Sequence, residues 1–93
     1  MTVVTLRLDL RVNHCQSSRD LRRQVGAIMD KLHKHFNVSV ADAEPDGQVD
    51  RAVLVVAAVG RTRREARRTV ERVADAVAAH PHAEVLAHAI SEV

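Results

Sequence analysis

Aromatic side chains are almost missing from this chain of 93 residues: Phe36 is the only one, and there is no tryptophan or tyrosine. A sheet that reads single-stranded bases by stacking needs aromatics on its central strands, so recognition of the RRM kind is excluded. Glycine is also scarce. Gly26, Gly47 and Gly60 stand too far apart to form the Gly-x-x-Gly clamp of a KH-type module. Cys15 is the lone cysteine, which rules out an internal disulfide and agrees with a reducing compartment. The longest apolar run, residues 52–59, is far shorter than the ~20 residues that cross a bilayer, so no membrane role is expected. The first residues alternate apolar and charged side chains without the pattern of an export signal, so a cytoplasmic location is expected.

What is present is ordinary globular composition, 46% apolar and 28% charged, enough for one domain over residues 1–93. The net charge of +2 is unevenly spread. Residues 61–72 hold six arginines against two glutamates, residues 42–50 hold four acids, and from residue 73 onward the charges are all acidic. Segregated charge bears on partners and solubility rather than on fold.

Hydrophobic periodicity divides the chain. Val4, Leu6, Leu8, Leu10 and Val12 alternate with polar residues, which predicts a strand with one buried face. After a polar break at 13–18, Leu21, Val25, Ile28, Met29, Leu32 and Phe36 recur at helical spacing, with Ser17 or Ser18 as N-cap. A short strand over 37–42 follows, then turn chemistry in Glu-Pro-Asp-Gly at 44–47. Residues 51–59 predict a strand apolar on both faces: Leu54, Val56 and Ala58 point one way, and Val53, Val55, Ala57 and Val59 the other. Thr62 caps a second helix whose apolar stripe is Ala66, Val70, Val73 and Val77, and His80-Pro81 ends it. A last strand over 85–93 alternates weakly because Val85-Leu86 blurs its phase. The order β-α-β-β-α-β predicts an α+β ferredoxin-like sandwich, a four-stranded antiparallel sheet with both helices on one face.

Several stretches resemble one family. Cys15-Gln16-Ser17 with Arg19 and Arg22-Arg23 is similar to its Cys-x-Ser-Leu-Lys-x-Lys-Arg segment. The run Phe36-Asn37-Val38-Ser39-Val40-Ala41-Asp42 is close to its Phe-Asn-Val-Ser-Val-Ala-Glu strand, and Arg51-Ala52 and His80-Pro81 fall in register. The chain thus resembles the YlxP-like group of small bacterial proteins of unknown function, over essentially its whole length. The resemblance implies the ferredoxin-like fold and a gene setting among translation and ribosome-maturation factors. Ser18 and Leu21 replace the family's usual Leu and Lys, which weakens a basic site on the first helix. Val49 and His88 replace a frequent Trp and Tyr, which removes aromatics that would stack.

Two basic clusters are candidate phosphate sites. At 100° per residue, Arg61, Arg64, Arg68 and Arg72 lie opposite the apolar stripe of the second helix, with Arg63 and Arg67 on one flank. Arg64, Arg68 and Arg72 are successive i, i+4 neighbours, and like charges at that spacing cost a helix a few tenths of a kcal/mol. Binding phosphate would explain that repulsion, since guanidinium forks match phosphate oxygens; a merely solvated helix face is the plainer alternative. Arg19, Arg22 and Arg23 open the first helix against its dipole, a placement that suits an anion held with Ser17 and free backbone N–H groups; Asp20 offsets that need, and a solvent-exposed cluster is the plainer alternative. The histidines and Cys15 show no metal-ligand spacing, and neither metal nor cofactor is expected. His14-Cys15 lacks an orienting third group, and no convergent set of titratable residues suggests an enzyme or a small-molecule substrate.

The open sheet face is the other candidate site. Arg7, Asp9 and Arg11 lie there beside Val53, Val55 and Ala57, and a homodimer stacking two such faces would bury the valines. A small-ligand regulatory domain on this fold commonly uses a glycine after strand one, and 13–18 has none. The sequence therefore favours a non-enzymatic cytoplasmic protein that is dimeric and binds RNA or a ribosomal particle through its arginine faces. The alternative is a homo-oligomeric protein–protein interaction module with no nucleic-acid role.

Overall fold

The computed structural model describes residues 1–43 and 48–93, so the turn expected at 44–47 lies outside the described residues. Its elements are β1 (Thr2–Val12), α1 (Ser18–His35), β2 (Ser39–Asp42), β3 (Arg51–Gly60), α2 (Arg63–Ala78) and β4 (Ala83–Glu92). The strands form one sheet in the order β2-β3-β1-β4, each neighbouring pair antiparallel. This is the ferredoxin-like α+β arrangement.

The core lies between the helices and one face of the sheet. β1 contributes Val4, Leu6, Leu8, Leu10 and Val12, and β3 contributes Ala52, Leu54, Val56 and Ala58. Leu21, Val25, Ile28 and Leu32 of α1 and Ala66, Val70, Val73 and Val77 of α2 close over them. No polar or charged residue is buried among the described residues, so apolar burial carries the core, at roughly 1.5–3 kcal/mol for each fully buried Val or Leu side chain.

Two strands differ from expectation for identifiable reasons. β2 begins at Ser39, not residue 37, because Phe36 caps α1 in an extended conformation and its N–H still donates to the Leu32 carbonyl. β4 begins at Ala83, and its register against β1 shifts between Asp9, opposite Ala87, and Leu10, opposite Val85. Leu86 is the extra residue of a β-bulge, which is why the alternation at Val85-Leu86 looked out of phase.

The chain makes one close approach where β3 hands over to α2. A Cβ on Gly60 would lie 2.7 Å from the Ala66 backbone nitrogen, 3.0 Å from the Thr62 carbonyl oxygen and 3.1 Å from the Ala66 Cβ. Glycine at this position lets the first turn of α2 sit directly on the end of its strand.

Candidate nucleic-acid interface

α2 starts cleanly because Thr62 Oγ1 accepts from the Glu65 backbone N–H at 3.2 Å, satisfying one of the helix's orphan donors. That start fixes the rotation of the helix. With Ala66, Val70, Val73 and Val77 buried, Arg61, Arg64, Arg68 and Arg72 are all exposed.

Ion pairing divides the arginines into two sets. Arg61 Nε lies 3.7 Å from Glu65 Oε2, Arg63 Nη1 lies 3.1 Å from Glu92 Oε2, and Arg67 Nε lies 3.9 Å from Glu71 Oε2. These three arginines thus take Glu65, Glu92 and Glu71. Among the described residues, Arg64, Arg68 and Arg72 have neither an ion pair nor a side-chain hydrogen bond. They rise by about 6 Å per step, a row of free guanidinium groups about 12 Å long.

The first-helix cluster is built differently. Ser17 Oγ accepts from the Asp20 backbone N–H at 3.1 Å, and Asp20 Oδ2 accepts from the Gln16 N–H at 3.2 Å. Arg23 Nη2 meets Asp20 Oδ1 at 3.0 Å. The chain's own carboxylate therefore occupies the place at the head of α1 where the sequence suggested an external anion. Only Arg19 and Arg22 remain exposed and unpaired among the described residues there.

The two clusters do not make one surface. α1 starts beyond Val12, at one end of β1, whereas α2 starts beyond Gly60, which pairs with Thr2 at the other end. Those ends are about 33 Å apart along the strand. The antiparallel pairing of β1 with β3 is what sets the two clusters apart.

The outer sheet face carries Thr5, Arg7, Asp9 and Arg11 of β1 against Ala57, Val55, Val53 and Arg51 of β3. On the other side, Ser91, Ala89, Ala87 and Glu84 of β4 stand opposite the same residues of β1. The charges of this face have partners within the chain: Arg7 Nε is 3.0 Å from Asp9 Oδ1, and Arg11 Nη1 is 3.9 Å from Glu84 Oε2. The small residues Ala87 and Ala89 belong to this face and were missed, because the bulge hides the alternation that would have shown them.

A histidine cluster was also missed. The rings of His14 and His82 lie 6.2 Å apart, and those of His80 and His82 lie 6.0 Å apart, both edge-on. The Asn13 N–H donates to the His82 carbonyl at 2.8 Å and brings the two loops together. His14 is the only non-glycine residue at positive φ among the described residues, at 63°. The His82 N–H donates to His80 Nδ1 at 3.1 Å, which requires that nitrogen to be unprotonated. Burial, then Lys31 and His82, push the His80 imidazole below its ordinary value. Cys15 is half-buried, and its thiol is pushed up by burial, then by Asp20 and Asp50, the opposite of what activates a nucleophile. No three His, Cys, Asp or Glu side chains among the described residues converge as a metal ion needs. No helix among them is long and apolar enough to cross a membrane.

Fold and surface together define a small ferredoxin-like α+β protein with a free cationic row on one helix. Residues 3–90 match the family described as Protein of unknown function (DUF503), and the chain belongs to that family. No curated protein matches it.

Proposed function

We propose that this chain is a non-enzymatic cytoplasmic protein that binds RNA or a ribonucleoprotein of the translation machinery through the outer face of α2. The observation that carries the reading is the row Arg64, Arg68 and Arg72, which has no carboxylate partner among the described residues while its neighbours do. Three like charges at i, i+4 spacing oppose helix formation by a few tenths of a kcal/mol per pair, a cost that phosphate binding offsets. Guanidinium groups bind phosphate oxygens in pairs, and such contacts position a nucleic acid without reading its sequence. Arg61, paired with Glu65 ahead of the helix, adds a further cation at the N-terminal end of the row. Arg19 and Arg22, at the far end of the molecule, serve as a secondary contact. The likeness to the YlxP-like group, with its setting among translation factors, supports the choice of RNA over other polyanions.

Co-sedimentation of the purified protein with ribosomal particles at low salt tests this reading. Binding that disappears as salt rises supports it, and protein that stays in the supernatant at the lowest salt contradicts it.

A second reading rests on the outer sheet face, where Val53, Val55 and Ala57 are half-buried and Val59 is 57% exposed although no helix covers them. On that reading the protein is a homo-oligomeric interaction module with no nucleic-acid role.

A further inference from the structure

The centre of the outer sheet face is self-complementary about one line. Leu8 pairs with Leu54 on one side and with His88 on the other, so these residues mark a single level across β3, β1 and β4. One residue above and below that level, the outward positions are Arg7 and Asp9 on β1, Val55 and Val53 on β3, and Ala89 and Ala87 on β4. A two-fold axis crossing the strands at this level, in the plane between two stacked sheets, exchanges the members of each pair. Arg7 then faces Asp9 of the second copy, Val55 faces Val53, and Ala89 faces Ala87. A two-fold interface must match a patch to itself in this way, charge against opposite charge and apolar against apolar.

We propose that the chain forms a face-to-face homodimer about this axis, with two reciprocal Arg7–Asp9 pairs setting its register. The proposal rests on the self-association in the second functional reading above, not on its exclusion of nucleic acid, and gives it a geometry. Aligned sheets pack about 10 Å apart, a gap suited to short side chains, and the apolar residues exchanged by the axis are all valine or alanine. Arg7 is long enough to reach across. A hollow of about 270 Å³ bounded by Asp9, Arg51, Val53 and Leu86 lies where the Arg7 of the second copy arrives. The intrachain Arg7–Asp9 contact of 3.0 Å becomes part of a four-charge cluster on association. Buried ion pairs of this kind add little net stability but specify register. Three long strands at ~4.8 Å spacing and ~33 Å length, with the short β2 beside them, give roughly 540 Å² per copy, below the ~800 Å² of a standard interface, so the dimer dissociates on dilution. The helices cover the inner sheet face, so both arginine rows stay on the outside of the dimer.

A charge exchange tests the register. Asp9→Arg puts two arginines at the axis and Arg7→Asp puts two aspartates there, so each variant repels its own copy. Mixed one to one, the variants present Arg against Asp at all four positions. Both changes fall on solvent-exposed side chains, and circular dichroism checks that each variant remains folded. Sedimentation equilibrium over about 1–100 µM should show wild type dimerising, each variant weakened by at least about tenfold, and the mixture restored. Wild type that stays monomeric throughout overturns both the dimer and the reading beneath it, and leaves the face to a different protein. Variants that dimerise as well as wild type show association through another surface and overturn the proposal. A wild-type dimer with two weakened variants whose mixture is no tighter overturns the register alone.

Discussion

One substitution made at two glycines should move stability in opposite directions. Gly60 ends β3 under the first turn of α2, and a methyl group there meets backbone at 2.7 and 3.0 Å, distances that real Cβ atoms essentially never show or rarely reach. Backbone cannot rotate away as a side chain can, so α2 must shift. That shift disturbs the Thr62 cap and the seating of Ala66, which is 1% exposed. Overpacking of this kind costs about 1–3 kcal/mol, and the clash with backbone puts Gly60→Ala at the upper end, about 3 kcal/mol. For a domain of this size each kcal/mol moves the melting temperature by about 4–8 °C, so a fall of roughly 12–24 °C is expected. Gly26 lies within α1, and a Cβ there meets nothing within 4 Å. Gly26→Ala should gain about 0.5–1 kcal/mol by relieving the entropic cost of a mid-helix glycine. Urea and thermal unfolding followed by circular dichroism measure both. A Gly60→Ala variant within about 0.5 kcal/mol of wild type would refute the close approach, because surface-like changes fall in that range.

The two faces of β3 should answer a charge differently. Val56 is fully buried, and Val56→Glu should abolish the cooperative unfolding transition, whereas Val55→Glu on the outer face should keep the fold and lower the mass seen by light scattering. Removing the Thr62 cap in Thr62→Ala should cost about 1 kcal/mol in urea unfolding, with no effect if the hydroxyl does not hold the Glu65 N–H. The His80 imidazole is held below its ordinary value in the fold, so its neutral form contributes stability at higher pH, and that contribution is lost as pH falls below about 6.5. Urea midpoints between about pH 7.5 and 5 should drop on acidification and drop less in His80→Gln; equal slopes in the two proteins would remove His80 as the cause.

Much of the fold was legible because β1 alternates without error and both helices carry clean apolar stripes. β4 resisted because its bulge at Leu86 exists only in the pairing with β1, and a register shift leaves no mark on local propensity. The arginine face of α2 was legible by helical arithmetic alone. Which arginines are free was not, since Arg63 pairs with Glu92, on a strand that only the sheet brings near. The distance between the two basic clusters depends on β1 and β3 running antiparallel, and the histidine cluster depends on the hydrogen bond from Asn13 to His82. Neither is encoded within a window of ten or twenty residues. At the head of α1, Asp20 stood in the sequence as a possible offset to an external anion, and the hydrogen bonds that place it there, from the Gln16 N–H and to Ser17, are visible only in the fold.

The central claim is that Arg64, Arg68 and Arg72 bind phosphates, and the salt dependence of RNA binding tests it most directly. Fluorescence anisotropy would compare wild type with the triple variant Arg64→Gln, Arg68→Gln, Arg72→Gln on two structured RNAs of unrelated sequence across a salt series. Glutamine keeps helix propensity and removes like-charge repulsion, so the variant should be at least as stable as wild type. Wild type should bind both RNAs alike, and the variant should bind both more weakly, with the log–log salt slope smaller by roughly 0.7–0.9 for each phosphate that is no longer neutralised. A triple variant that binds with the affinity and slope of wild type, or a wild type that fails to bind at low salt, would contradict the account and leave the arginine row as a solvated helix face.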